Sequence, residues 1–228
     1  MYYFNEKEIV VPGQLLADDP KKSGPGTYVL DGKVYAAHAG LPKLRDGVVV
    51  VIPLKGPYKP EAGDWIVGVV TDVKPSSIEV DLGGYMTAVL KYPERQGPPE
   101  GLTVGDVIYA RVKSSNIRGV FLESEEMKKL TNGIIISMTP ARIPRLIGRK
   151  GSMIALLKKE TGCNFWVGRN GLIVVSGKSS EGESAAISAI RVVEKEAHSQ
   201  GLTDRVAALL KSAKGRNHDD REQGDKAN

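Results

Sequence analysis

Apolar residues in this chain keep two different periods. Up to about residue 137 they come in short runs or alternate with polar neighbours, and Gly, Pro, Asn or Asp separates the runs. That is the pattern of strands and turns. Val10-Val11-Pro12-Gly13, Gly26-Thr27-Tyr28-Val29-Leu30, Lys33-Val34-Tyr35-Ala36-Ala37 and Val48-Val49-Val50-Val51-Ile52 read as short strands, with Asp31-Gly32 as a hairpin turn. Five more runs follow: Trp65–Val70, Ser77–Leu82, Tyr85–Leu90, Val107–Val112 and Gly119–Leu122. After a strand at Ile134–Ser137 the spacing becomes helical. A short helix is expected to open with Pro144 at its first position, where the missing N–H costs nothing. It should stop at Gly148-Arg149-Lys150-Gly151. A second helix then carries Ile154 and Leu157 on one face and ends at Gly162, suited to a left-handed cap. Two apolar runs, Asn164–Val167 and Leu172–Val175, flank Gly168-Arg169-Asn170-Gly171, which reads as a hairpin turn. A longer helix should cover about residues 182–199.

These elements predict a multidomain chain of β and α+β class. A small N-terminal β domain over 1–58 is too short for a confident core of its own. Residues 61–125 should form an OB-type barrel, and 133–200 an α+β domain. A short helix over 201–213 and a polar tail over 214–228, expected to be disordered, complete the chain.

The segment from Ile143 to Gly162 is the most informative. Two apolar helices joined by a tight, basic, glycine-bracketed loop can hold an extended nucleic-acid strand, because loop N–H groups and a helix N-terminus favour phosphate. The order strand, helix, loop, helix, strand, turn, strand, helix resembles the eukaryotic-type KH fold (βααββα). Its Gly-x-x-Gly loop clamps the backbone of about four single-stranded nucleotides. Gly-x-x-Gly alone is weak, since 26 of 228 residues are glycine and the pattern recurs at Gly168–Gly171. Context separates the two copies: the first is preceded by Leu146 and Ile147, holds two cations, and leads into an amphipathic helix.

Charge agrees by location. The chain carries a net +5, yet residues 141–178 alone hold eight cations against one anion. Residues 61–140 are net acidic, with eight cations against eleven anions. The excess therefore behaves as an electrostatic footprint on the proposed clamp. In the barrel, Thr103-Val104-Gly105-Asp106-Val107-Ile108-Tyr109-Ala110-Arg111-Val112 and the Gly63-Asp64 pair resemble the S-one RNA-binding domain, first named for the largest small-subunit ribosomal protein. Alternation puts Met86, Ala88, Leu90, Ile108, Ala110 and Val112 inside. It leaves Tyr85, Lys91, Tyr109, Arg111 and Lys113 outside, where Tyr109 either stacks bases or simply covers the barrel end. That family usually pairs aromatics on its second and third strands. Here Ser76, Ser77 and Ile78 occupy the second-strand positions, so phosphate contacts are better supported than stacking. Candidate RNA contacts are thus Arg145, Ile147, Gly148, Arg149, Lys150, Gly151, Ile154 and Arg169 in the KH segment, with Tyr85, Lys91, Arg111, Lys113 and Arg118 on the barrel.

Other chemistry is thinly represented. His38, His198 and His218 are the three histidines, and neither metal-site nor nucleophile-elbow spacing occurs. Asp72, Glu79 and Asp81 could form a carboxylate cluster, but a solvated acidic face is the commoner outcome. Ser23-Gly24-Pro25-Gly26 lacks the Lys-Ser/Thr of a phosphate loop. The single cysteine, Cys163, is expected to be a buried small hydrophobe. No apolar run has the eighteen or so residues of a membrane helix, and the N-terminus lacks the marks of a signal peptide. These features point to a soluble cytoplasmic protein with no cofactor and no metal.

The order of the three domains resembles the RNA-binding cap subunit of the archaeal exosome, the ribosomal RNA-processing protein four family, over about residues 6–212. The resemblance rests on Val11-Pro12-Gly13, Gly26-Thr27-Tyr28-Val29, Lys33-Val34-Tyr35-Ala36, Gly63-Asp64 with Gly68-Val69-Val70, and Ile143 through Gly151. It implies a non-catalytic protein that binds single-stranded RNA, with a preference for adenine-rich ends. It also implies a trimeric cap, alone or mixed with a second cap protein, on a hexameric ring built from two phosphorolytic subunit types. The N-terminal domain would contact the ring, the barrels would surround its pore, and the ring would degrade RNA from the 3′ end. The alternative is a free-standing KH and S-one factor of transcription or translation. Bacterial elongation factors of that kind carry two KH copies of the other topology, whereas this chain has room for one.

Overall fold

The computed structural model describes residues 1–6, 8–53, 58–84, 86–197 and 201–211. They divide into two compact units, Met1–Pro57 and Tyr58 onward.

In the first unit, β1 (Leu15–Ala17), β2 (Thr27–Leu30) and β3 (Lys33–Ala36) form an antiparallel sheet in the order β1-β3-β2. β4 (Gly40–Arg45) and β5 (Val48–Pro53) form a separate hairpin. Both hairpin turns are Asp-Gly with positive φ at each residue: 49° and 73° at Asp31-Gly32, 49° and 82° at Asp46-Gly47. That is the conformation whose twist matches paired strands. Leu16, Ala17, Val34, Ala36, Val49 and Val51 bury one face, with Val10 and part of Phe4. Two expectations are corrected here. Residues 10–13 are not a strand: Val10 makes a single bridge to Gly40, and Pro12 and Gly13 turn the chain. The paired segment is Leu15–Ala17. β4 lies outside the sequence reading, because Pro42 interrupts its pattern; an edge strand tolerates proline, and β5 is the one named strand paired with β4, whose first residue, Gly40, also bridges Val10.

In the second unit, β6 (Trp65–Lys74), β7 (Ser77–Asp81), β8 (Thr87–Lys91), β9 (Val107–Asn116) and β10 (Gly119–Leu122) close a five-stranded barrel. Two of these strands outrun their sequence signal, since each must serve two neighbours. β6 pairs with β9 through Trp65–Val69 and with β7 through Val69–Lys74. β9 pairs with β6 through Val107–Arg111 and with β10 through Val112–Asn116. The parallel pairing of β10 with β8 shuts the ring. Ile66, Ile78, Val80, Ala88, Leu90, Ile108, Ala110 and Val112 are fully buried inside, as alternation predicts, and Met86 packs partly against them. A short β11 (Lys128–Leu130) adds to the outside of β9.

The rest of the unit runs β12 (Ile134–Ser137), α1 (Ile143–Ile147), α2 (Ser152–Thr161), β13 (Asn164–Val167), β14 (Leu172–Ser176) and α3 (Ser180–Lys195). The sheet order is β12-β14-β13, all antiparallel, and the helices cover one face. Leu146, Met153, Leu157, Ile173, Val175, Ile190 and Val193 form that core, which Cys163 joins as a small hydrophobe. α3 starts from Ser179, whose hydroxyl accepts the N–H of Gly182 at 3.2 Å. Residues 202–211 are helical and add Leu202, Val206 and Leu210 to the same core. The expected disordered tail, 214–228, lies outside the described residues, as do His198 and His218.

The opposite face of this sheet rests on the barrel. Val174 meets Val67 and Leu130, with Leu172, Trp166, Val107 and Tyr109 around them.

Candidate nucleic-acid interface

α1 is short because Gly148 ends it, and only glycine fits there. Its φ is +77°, and a Cβ would lie 2.6 Å from the Met153 nitrogen and 2.8 Å from the Met153 Cβ. The Gly148 N–H closes the helix on the Pro144 carbonyl at 3.0 Å. Arg149, Lys150 and Gly151 make one tight turn, in which Lys150 takes the left-handed conformation at φ 51° and Gly151 follows at φ 80°. α2 then begins at once and ends at Gly162, with φ 68° and its N–H on the Lys158 carbonyl.

The loop displays what the sequence places in it. Arg145, Arg149 and Lys150 are exposed. Ile147 before the loop and Ile154 after it are half-buried, each leaning on the core and keeping part of its side chain outside. Cations at the apex beside two aliphatic flanks suit a chain with a charged backbone and apolar base faces. No ion pair among the described residues engages Arg145, Arg149 or Lys150, so these cations face solvent.

The second Gly-x-x-Gly is the expected hairpin turn, and it is also a joint. Asn170 is 92% buried, the one buried polar side chain among the described residues. Its Oδ1 accepts the Val67 N–H at 3.2 Å, and its Nδ2 donates to the carbonyls of Val67 and Leu82, each at 2.7 Å. Beside it, the Arg169 N–H donates to the Trp65 carbonyl at 2.8 Å. The Arg169 guanidinium meets Asp64 at 3.1 Å. The other oxygen of Asp64 accepts the Tyr58 hydroxyl at 2.7 Å and the Glu61 N–H at 3.2 Å. Burial, and then the Asp64 carboxylate, push the Tyr58 phenol far above its ordinary range. Arg169 therefore ties the KH hairpin to the barrel while keeping more than half of its side chain exposed.

On the barrel, Tyr85 lies outside the described residues. Tyr109 stacks on Trp65 at 4.8 Å with 14° between the rings and packs toward the KH sheet. Of its two readings the covering one holds, and burial raises its phenol. Arg111 pairs with Glu126 at 3.1 Å. Lys91 reaches over the Phe121 ring at 5.1 Å, while Lys113 and Arg118 are exposed at the far end of β9 and the turn beyond it. The barrel cations thus spread over its surface, in contrast to the cluster on the KH loop. Among the described residues no group of side chains is arranged to hold a metal. Asp72 and Glu79 instead share Lys74, and Asp81 accepts the Gly83 N–H at 2.9 Å.

Sequence reasoning gave Asn170 no role beyond the turn and named Asp64 only within the Gly63-Asp64 pair, not as the partner of Arg169. An Asn before a turn glycine is ordinary turn chemistry, so nothing local marks it as a joint.

A closed OB-type barrel fused to a βααββα domain with a basic Gly-x-x-Gly loop defines the class: a KH-domain protein with an S-one-type barrel. Two family models match the chain, the exosome RNA binding protein RRP4 N-terminal domain over residues 7–55 and the KH domain over residues 134–192. The chain is 42% identical over 224 residues to the exosome complex component Rrp4 of Pyrococcus abyssi, covering 92% of this chain and 84% of the relative. It is 38% identical over 229 residues to the component of the same name from Pyrobaculum aerophilum, covering 94% and 97%. A crystal structure of a protein assigned as an exosome complex RNA-binding protein superposes with a TM-score of 0.63 at 30% identity, covering 71% of this chain and 99% of that one. The chain belongs to the Rrp4 family of exosome components.

Proposed function

We propose that this protein is the RNA-binding subunit of an archaeal-type exosome. It takes up single-stranded RNA on the KH loop and passes it to a phosphorolytic ring for degradation from the 3′ end. The observation that carries this reading is the Arg149-Lys150 loop between Ile147 and Ile154, on a chain that matches Rrp4 relatives along nearly its whole length. Aliphatic flanks beside unpaired cations hold a single strand by its backbone and tolerate many base sequences, which suits a degradation machine. A preference for adenine-rich ends belongs to the same reading.

The chain itself contributes binding and no bond-breaking step: among the described residues the KH loop presents cations and aliphatic groups. Phosphorolysis is supplied by two types of ring subunit, on whose hexamer three copies of this chain sit as a cap, alone or mixed with a second cap protein. The N-terminal unit makes the ring contact, and the assembly works in the cytoplasm. No helix among the described residues is long and apolar enough to cross a membrane.

The test is the native mass and subunit composition of the complex this protein forms in extract of its own cells. The expected result is a large assembly containing two phosphorolytic subunit types. Isolation as a monomer, or with polymerase or ribosome, would overturn the exosome assignment and favour a transcription or translation factor.

A further inference from the structure

Asn-Gly occurs twice in this chain, at Asn132-Gly133 and at Asn170-Gly171. The pair carries chemistry of its own. The glycine nitrogen can reach the carbonyl carbon of the preceding side chain, and glycine has no Cβ to obstruct the approach. Whether the two atoms meet depends on what else holds them.

Asn170-Gly171 is held on every side. Asn170 is 8% exposed, and its amide makes three hydrogen bonds, two to Val67 and one to Leu82. The Gly171 N–H donates to the Gly168 carbonyl at 3.1 Å. Reaction there would first have to break the joint between barrel and KH sheet.

Asn132-Gly133 is the opposite case. It forms the link between β11 and β12, with Thr131, Asn132 and Gly133 all exposed and a bend at Asn132. Among the described residues neither the Asn132 amide nor the Gly133 N–H has a hydrogen-bond partner. The ladder explains the second. β12 is an edge strand beside β14 alone, and the Met138 N–H donates to the Gly171 carbonyl at 2.8 Å. Bonds in an antiparallel pair fall on alternate residues, so Ile136 and Ile134 face β14 and Gly133 falls out of step.

We infer that Asn132 is a site of spontaneous modification, where the side-chain amide is lost to water and the main chain is partly rerouted through the side chain. The Gly133 nitrogen gives up its proton to solvent and bonds to Asn132 Cγ. The Cγ–Nδ2 bond breaks, and ammonia leaves. Water then opens the cyclic imide at either carbonyl, giving aspartate or isoaspartate at position 132. The net change is one water consumed and one ammonia released, with no oxidant or cofactor. Both products add a negative charge, and isoaspartate also adds one methylene to the main chain.

The position gives that methylene a consequence. On one side Leu130 is buried against Val67 and Val174 in the contact between barrel and KH sheet. On the other, Gly133 is pinned: a Cβ there would lie 2.7 Å from Val174 Cγ1 and 2.8 Å from the Val175 carbonyl oxygen. An extended link between two fixed ends loosens one of them, so isoaspartate at 132 weakens the seat of β12 on β14 or of β11 on β9.

The test is ageing of the full chain in warm, mildly alkaline buffer, folded and in concentrated urea, followed by peptide mapping. Conversion reads as a gain of about 1 Da, and chromatography separates the two products. In the folded chain the Asn132 peptide should convert at least about tenfold faster than the Asn170 peptide, which needs local opening. In urea the two should convert at similar rates. A folded chain that keeps the Asn132 amide while the unfolded chain loses it would overturn the site, as would equal conversion of both peptides in the folded chain. The aged chain should melt about 3 °C below the fresh one. Aged Asn132→Gln, whose longer side chain closes the ring poorly, should melt with its own fresh sample. An aged parent that is converted at 132 yet melts unchanged would overturn the loosened link.

Discussion

Asn170 pairs with Val67 as one strand pairs with another: its side-chain amide gives a hydrogen to the Val67 carbonyl and takes one from the Val67 N–H. The reason lies in the barrel. β7 last pairs with β6 at Asp81 and Val69, two residues beyond Val67. On that side the Val67 peptide would be a bare edge, buried by the KH sheet with no partner and no water. A buried peptide in that state is costly. The KH hairpin brings in an amide of its own and completes the barrel edge, and a third bond to Leu82 closes the end of β7. The turn that carries Asn170 is built for close approach. A Cβ at Gly168 would lie 2.6 Å from the Val67 nitrogen, and one at Gly171 would lie 2.2 Å from the Met138 carbonyl oxygen.

Asn170→Ala should therefore cost about 3 kcal/mol of stability, because it strands three buried backbone groups at once. Asn170→Asp should cost more at neutral pH, since a carboxylate oxygen would replace Nδ2 against two carbonyls. Part of that loss should return in acid, when the carboxyl can donate. Urea denaturation of both variants at two pH values checks the order. An Ala variant as stable as the parent would mean that the joint is held by Val67, Leu130 and Val174 alone.

The two loop glycines should not respond alike. Both have positive φ, but a Cβ at Gly148 would strike the Met153 backbone, whereas one at Gly151 would meet nothing nearer than Ile154 Cγ2 at 4.0 Å. Gly151→Ala should cost only backbone strain, about 1 kcal/mol. Gly148→Ala should cost several times more by prying α1 from α2. Thermal melting of the two single variants decides this, and equal shifts would contradict the packing argument.

Much of this was readable from local pattern. Alternation placed Ile108, Ala110 and Val112 inside because a barrel strand has one dry face, and Pro144, Gly148 and Gly162 mark helix ends through backbone chemistry alone. The losses came where a partner distant in sequence decides the outcome. Pro42 looks like a breaker until β4 is seen to pair with one strand alone among the described residues, β5. Alternation leaves Tyr109 open between stacking bases and covering the barrel end, and only Trp65 and the KH sheet show where its ring packs. Arg169 also meets Asp64, 105 positions earlier in the numbering, an ion pair that no local pattern announces. Asn170 serves an edge that exists only because β7 is shorter than β6.

Acid should loosen the KH domain through Glu194. Burial alone would raise this carboxyl, but it accepts the Thr139 N–H at 2.9 Å, the Thr139 hydroxyl at 3.1 Å and Arg191 at 3.2 Å, and the balance lowers it below the ordinary 4.5. Asp106 is lowered from 3.8 in the same way by Lys129 at 2.7 Å and by Thr103. A depressed carboxyl stabilises the fold fully above its unfolded value, and that contribution disappears as pH falls through the folded value. The urea midpoint should thus hold from neutrality to about pH 5 and fall below it. Glu194→Gln should be less stable than the parent at neutral pH and should show a shallower acid fall.

The loop itself is tested by separating its backbone from its charge. Lys150 occupies the left-handed region at φ 51°, a conformation that costs a side-chain-bearing residue about 1 kcal/mol and costs glycine nothing. Lys150→Gly should therefore leave stability unchanged or slightly raised while removing one cation. If the loop grips phosphate, this variant should bind single-stranded RNA more weakly than the parent despite its relaxed backbone, with a salt slope lower by about 0.7. Arg149→Asp with Lys150→Asp goes further, placing two anions where the strand's backbone would lie, and affinity should fall steeply at low salt with most of the loop's salt dependence gone. A folded double variant that keeps both the parent's affinity and its slope would show that these cations face solvent for solubility alone, and RNA recognition would then have to be sought on the barrel.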